Sequence, residues 1–117
     1  MAEVKILIQG HISSEAKDKS DCPTVSLIKD NGLVIIVDPG TWPSLGLLIE
    51  KLKEQGLTAA DINIVFLTHS HFDHYKNVGL FDKAKVLEYF GLWDGGVVKP
   101  WPERFSKNIR IIKTPGH

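Results

Sequence analysis

Ile62-Asn63-Ile64-Val65-Phe66-Leu67 runs without a break into Thr68-His69-Ser70-His71-Phe72-Asp73-His74. The first six residues are mostly apolar and β-branched, which predicts a buried strand. In extended backbone, residues two apart point the same way, so His69 and His71 project together from the strand's end. Asp73 and His74 follow on the turn after it. Imidazole nitrogens suit zinc-like borderline ions, and the carboxylate adds a harder oxygen. Four potential ligands within six residues exceed what one tetrahedral catalytic metal takes from protein; two metals sharing a bridging water fit the supply better. A lone histidine at a strand end is more often hydrogen-bonded or exposed than a ligand. Crowding this many titratable groups, however, costs folding free energy unless a cation offsets it. The stretch predicts a metal site built on His69, His71, Asp73 and His74.

Upstream, Val4 to Gln9 reads as a first strand ended by Gly10. Residues 11–21 are polar and aperiodic, which predicts an exposed loop. Thr24–Lys29 and Leu33–Val37 read as two strands joined at Asp30-Asn31-Gly32, whose Asn-Gly pair suits a tight hairpin. The nearly continuous apolar run of Leu33–Val37 predicts a strand covered on both faces. Asp38-Pro39-Gly40 stops it. A helix is expected from about Ser44 to Gln55, with Leu45, Leu48, Ile49 and Leu52 as its apolar stripe and Gly56 as its stop. Thr58-Ala59-Ala60-Asp61 has the form of a capping signal. Downstream, Lys85–Leu87 and Ile109–Lys113 are strand candidates, and the glycine- and proline-containing stretch between them reads as irregular. The fold class is α/β, in one domain over residues 1–117.

Composition bounds the rest. With 14 Lys+Arg against 14 Asp+Glu, the formal net charge is zero, so nothing electrostatic favours nucleic acid or a membrane surface as partner. One cysteine, Cys22, excludes an internal disulfide framework and an all-cysteine metal site within one chain. The start carries no secretion signal and no stretch is long enough to span a membrane, so a cytoplasmic location is the expectation.

The His69-x-His71-x-Asp73-His74 pattern follows an apolar strand. An earlier strand ends in Asp38-Pro39-Gly40, and Thr114-Pro115-Gly116-His117 lies downstream. Together these resemble the metallo-β-lactamase fold superfamily. The resemblance implies the αβ half of a four-layer αβ/βα sandwich and a hydrolase with metal in the cleft between its halves. It implies that His69, His71 and His117 bind a first metal and that Asp73 and His74 bind a second. Asp73 would also orient, or take a proton from, the attacking water. Asp38 matches an acidic residue that supports such sites, although a turn residue before Pro-Gly needs no such role. Zinc is the implied metal, one or two ions, with iron or manganese as alternatives. The Asn77-x-Gly79-Leu80-Phe81 pattern is similar to the group around metallo-β-lactamase domain-containing protein 1, members of which have been linked to RNA cleavage.

The resemblance reaches only the first half of the superfamily's pattern, which elsewhere adds a bridging aspartate and a last histidine. A truncated record, a split gene and pairing of two copies each account for this. A homo-oligomer or a partner chain supplying the second half is the expectation, because a half-sandwich leaves an apolar sheet face uncovered. The expected function is hydrolysis of an ester, thioester, lactam or phosphodiester by metal-activated water. The alternatives are a non-enzymatic metal-binding subunit and, more remotely, an iron redox protein. His11 and Cys22 read as an exposed and a packed residue. Trp42, Trp93 and Trp101 read as core or half-buried, and Lys99, Arg104, Lys107, Arg110 and Lys113 as a solvated basic face.

Overall fold

The Asn31-Gly32 pair fixes the first hairpin. In the computed structural model, which describes residues 2–10, 23–41, 45–69, 71–102, 104 and 106–114, both take positive φ, 50° and 85°. This backbone twist matches that of the flanking strands. They are β2 (Val25–Asp30) and β3 (Leu33–Val37), paired from Ser26↔Val37 to Asp30↔Leu33. β1 (Glu3–Ile8) lies antiparallel to β2 on the other side.

The chain then makes two parallel steps. Helix α1 (Leu45–Glu54) leads from β3 to β4 (Ile64–Phe66). A short helix, α2 (Phe72–Tyr75), and a 3-10 turn over Lys76–Leu80 lead to β5 (Lys85–Glu88), parallel to β4. β6 (Gly91–Asp94) and β7 (Val97–Lys99) complete a seven-stranded mixed sheet in which every strand neighbours the next in sequence. Sheet and helices make the fold α/β, as expected.

Alternation along the strands sorts the apolar side chains onto two faces. On one, Val25, Leu27, Ile36 and Val65 pack with Leu48 and Leu52 of α1, Ile62 and Phe81. The predicted helical stripe narrows here: Leu48 and Leu52 are 0% and 1% exposed, but Ile49 is 42% exposed. A single i, i+4 seam, Leu48 and Leu52, makes the helix's contact with the core. The helix ends as expected at Gly56, where Gly56 N–H donates to Lys53 O and Leu57 N–H to Leu52 O. The Thr58 signal also forms, with Thr58 N–H donating to Asp61 Oδ2 at 2.8 Å.

On the other face Ile35, Ile64 and Leu87 gather Ile28, Val37 and Phe66 around them, and no helix among the described residues covers them. Ile109 and Ile111 lie across part of this face and border a groove of about 370 Å³. The Ile109–Lys113 strand therefore does not form. Among the described residues its surroundings contribute only one bridge, Arg104↔Arg110, because no neighbouring strand offers a ladder. The reverse correction applies to 91–99, where the glycines build a hairpin rather than break one. Gly91, at φ 148°, packs so closely on Lys99 O that any Cβ would collide with it. The exposed-loop expectation for 11–21, and the readings of His11, Cys22 and Trp42, fall outside the described residues.

One buried acid ties the 106–110 segment to the sheet. Asp30, at the end of β2, is 2% exposed and accepts hydrogen bonds from Ser106 Oγ and from Asn108 Nδ2. These bonds, Ser106's first, hold its carboxyl below the usual range. A group whose folded pKa is depressed stabilises above its unfolded value, near 4, and loses that contribution as pH falls through the folded value. The stability gap between wild type and Asp30→Ala, read from urea midpoints, should be largest near neutrality and narrow below about pH 4. Leu52→Ala should cost about 2–5 kcal/mol while Ile49→Ala stays within about 0.5 kcal/mol; equal losses in chemical denaturation would contradict the single seam.

Candidate metal centre

The site grows from the end of β3. Asp38 sits at φ 50°, a conformation that aspartate tolerates better than most side chains. This turns its carboxylate back over the exit of β4. There Thr68 N–H donates to Asp38 Oδ1 at 2.9 Å and Thr68 Oγ1 donates to Asp38 Oδ2 at 2.7 Å. Asp38 N–H in turn donates to Phe66 O. The adjoining Pro39-Gly40 is tied to the histidine motif: Gly40 N–H donates to His74 O, Asn77 N–H to Gly40 O, and buried Asn77 Nδ2 to Pro39 O. Two loops far apart in sequence are thus locked into one surface.

On that surface the imidazoles converge. The ring centroids of His69 and His71 are 4.6 Å apart, edge to face, and those of His69 and His74 are 4.1 Å apart. Asp73 Oδ2 lies 3.7 Å from His74 Nε2. Among the described residues the donors do not form a ready cluster of three or more around one point. His117 and Ser70 lie outside the described residues. Of the predicted set, the structure brings together His69, His71, Asp73 and His74.

Two of the rings are backed by Asp38. His74 Nδ1 is buried and lies 3.0 Å from Asp38 Oδ2, out of line for a hydrogen bond, so the contact is electrostatic. For His69 the link runs through Thr68, whose Oγ1 is 3.0 Å from His69 Nδ1. Thr68's single hydroxyl proton goes to Asp38, so the ring must supply the proton in its contact with Thr68. That places a proton on His69 Nδ1 and leaves the lone pair on Nε2 for a ligand. A carboxylate holding the far side of an imidazole is how metal-binding histidines are oriented. Imidazole nitrogens beside the Asp73 carboxylate are the donor types a zinc-like divalent ion takes, although among the described residues no three of them gather around one point. Thr68 was not singled out from the sequence; its position between the apolar strand and the first histidine was the available signal.

A mixed sheet ending in a histidine-rich turn backed by an aspartate is the frame of this candidate site. The metallo-beta-lactamase superfamily profile matches residues 23–112, and the chain belongs to that superfamily. It is 29% identical to metallo-beta-lactamase domain-containing protein 1 of Xenopus laevis over 97% of this chain and 52% of that protein. Its identity to the mouse protein of the same name is 36% over 71% of this chain and 35% of that one. A crystal structure of a Thermotoga maritima protein of metallo-beta-lactamase type superposes with a TM-score of 0.62 at 34% identity, over 73% of this chain and 42% of that one. The chain thus spans about half the length of the frog relative.

The Asp38–Thr68–His69 link makes a specific prediction. Thr68→Val should lower zinc affinity by about 10- to 100-fold, and Thr68→Ser should restore it. Competition against a chelator of known affinity measures both.

Proposed function

We propose that the protein is a metal-dependent hydrolase acting on an ester, thioester, lactam or phosphodiester. The observation that carries this reading is the convergence of three imidazoles beside the Asp73 carboxylate, two of them backed by Asp38. His69, His71 and His117 would hold one ion, and Asp73 and His74 a second, with zinc favoured by the nitrogen-rich set. A bound ion of this kind lowers the pKa of water toward neutrality and polarises the scissile carbonyl or phosphoryl oxygen.

The chain's own residues supply the rest. Asp73 is partly exposed, so its carboxylate can meet solvent and accept a proton from the attacking water. Asp38 and Thr68 keep His69 and His74 turned toward the site, so their orientation is set before substrate arrives. Removing metal with a chelator should abolish hydrolysis of p-nitrophenyl acetate or bis-p-nitrophenyl phosphate. His71→Ala should lower kcat/KM by at least about 100-fold. Wild-type rates no higher than those of His71→Ala on both substrates would overturn the enzymatic reading.

A second reading, a metal-binding half that needs further polypeptide to complete its site, is favoured by the sheet face left open beneath Ile109 and Ile111. The chain's half-length match to its relatives points the same way. The covering polypeptide would come from a partner chain or a second copy. Under this reading the 117-residue chain alone sediments as an associated species, and Ile112→Glu, at the exposed rim of the groove, shifts it toward monomer. A monomer at all concentrations would refute the association.

A further inference from the structure

Next to the histidine cluster lies a second concavity of about 180 Å³, walled by Phe66, Thr68, Tyr89, Trp101, Ile112 and Lys113. Its only charged wall among the described residues is Lys113. The ammonium stands over two aromatic faces at once, 4.9 Å from the Tyr89 ring centroid and 4.6 Å from that of Trp101. Both distances are within the range of cation–π attraction. The Trp101 platform is fixed, because its Nε1–H donates to Glu88 O at 2.6 Å. Among the described residues no carboxylate lies within ion-pair distance of Lys113.

We propose that this concavity is a substrate subsite and that Lys113 is its specificity residue, anchoring a singly charged anionic group. The two aromatic faces hold the ammonium in place while leaving N–H donors free for an acceptor. One cation matches a monoanion; a dianion's second charge finds no further cation among the described walls. Thr68 makes the connection to chemistry, since it walls this concavity and also holds His69 Nδ1 at 3.0 Å. A group seated here lies against the residue that holds His69. The term substrate rests on the hydrolase reading; the recognition of the anion does not.

Equilibrium binding separates the two. In the full chain, benzoate, its neutral analogue benzamide and phenyl phosphate are titrated while the Trp101 indole N–H resonance is followed, assigned by its loss in Trp101→Phe. Benzoate should bind about five-fold tighter than benzamide, and phenyl phosphate, mostly dianionic at pH 8, should gain less. Lys113→Met should erase the preference and Lys113→Arg should keep it. In turnover, the kcat/KM ratio of 4-acetoxybenzoate to phenyl acetate should fall by a similar factor in Lys113→Met. Benzoate binding no tighter than benzamide, or a preference that survives in Lys113→Met, overturns the proposal. If neither ester is hydrolysed by wild type, the hydrolase reading fails and the binding comparison still decides the role of Lys113.

Discussion

The Asp38 carboxylate is the contact on which the rest of the site depends. It caps the end of β3, accepts two hydrogen bonds from Thr68 at the end of β4, and faces buried His74 Nδ1. Without it, the backbone leaving β4 would have no fixed direction and the imidazoles no common one. The positive φ at Asp38 is the local distortion that makes this possible. It persists because neighbouring hydrogen bonds from Gly40 and Asn77 over-determine the loop. From sequence Asp38 reads as a turn residue or as a support for a metal site; in three dimensions it makes the turn, holds Thr68 and faces His74.

What could be read from the chain in advance was what neighbouring residues decide among themselves. Asn31-Gly32 makes its turn through its own backbone preference, and Gly56 ends α1 through bonds to the last helical carbonyls. The histidine cluster was legible because its members are close in sequence, although β4 ends at Phe66 and Thr68 and His69 lie in a bend after it. The misses depended on distant partners. Ile49 looks like Leu48 in a helical pattern, and only the way α1 sits on the core decides that it stays outside. Gly91 reads as a breaker, yet Lys99 O packs against it so closely that only glycine fits. Ile109 to Lys113 has every local mark of a strand and no neighbour to pair with among the described residues. Thr68 is an ordinary strand-end residue until Asp38, thirty positions earlier, is seen to share it.

The two faces of the sheet have different histories of burial. One is sealed by α1, Ile62 and Phe81, and its centre is closed to solvent. The other is apolar but covered only in part by Ile109 and Ile111, and its acid, Asp30, is spent on fastening Ser106 and Asn108. Membership of the metallo-beta-lactamase superfamily, together with a match to about half the length of the frog relative, puts this contrast in context. The histidine motif and Asp38 lie within the matched residues 23–112.

The sheet's strand order, β1 through β7 without interruption, has a kinetic meaning. Each strand pairs with the one synthesised just before it, so no ladder closes a loop longer than the Val37 to Ile64 crossover. Low sequence separation between pairing strands is the condition under which chains fold fast. The sheet can be laid down in the order in which the ribosome delivers it, N-terminal strand first. Asp38 would then be waiting at the end of β3 when Thr68 and the histidines emerge.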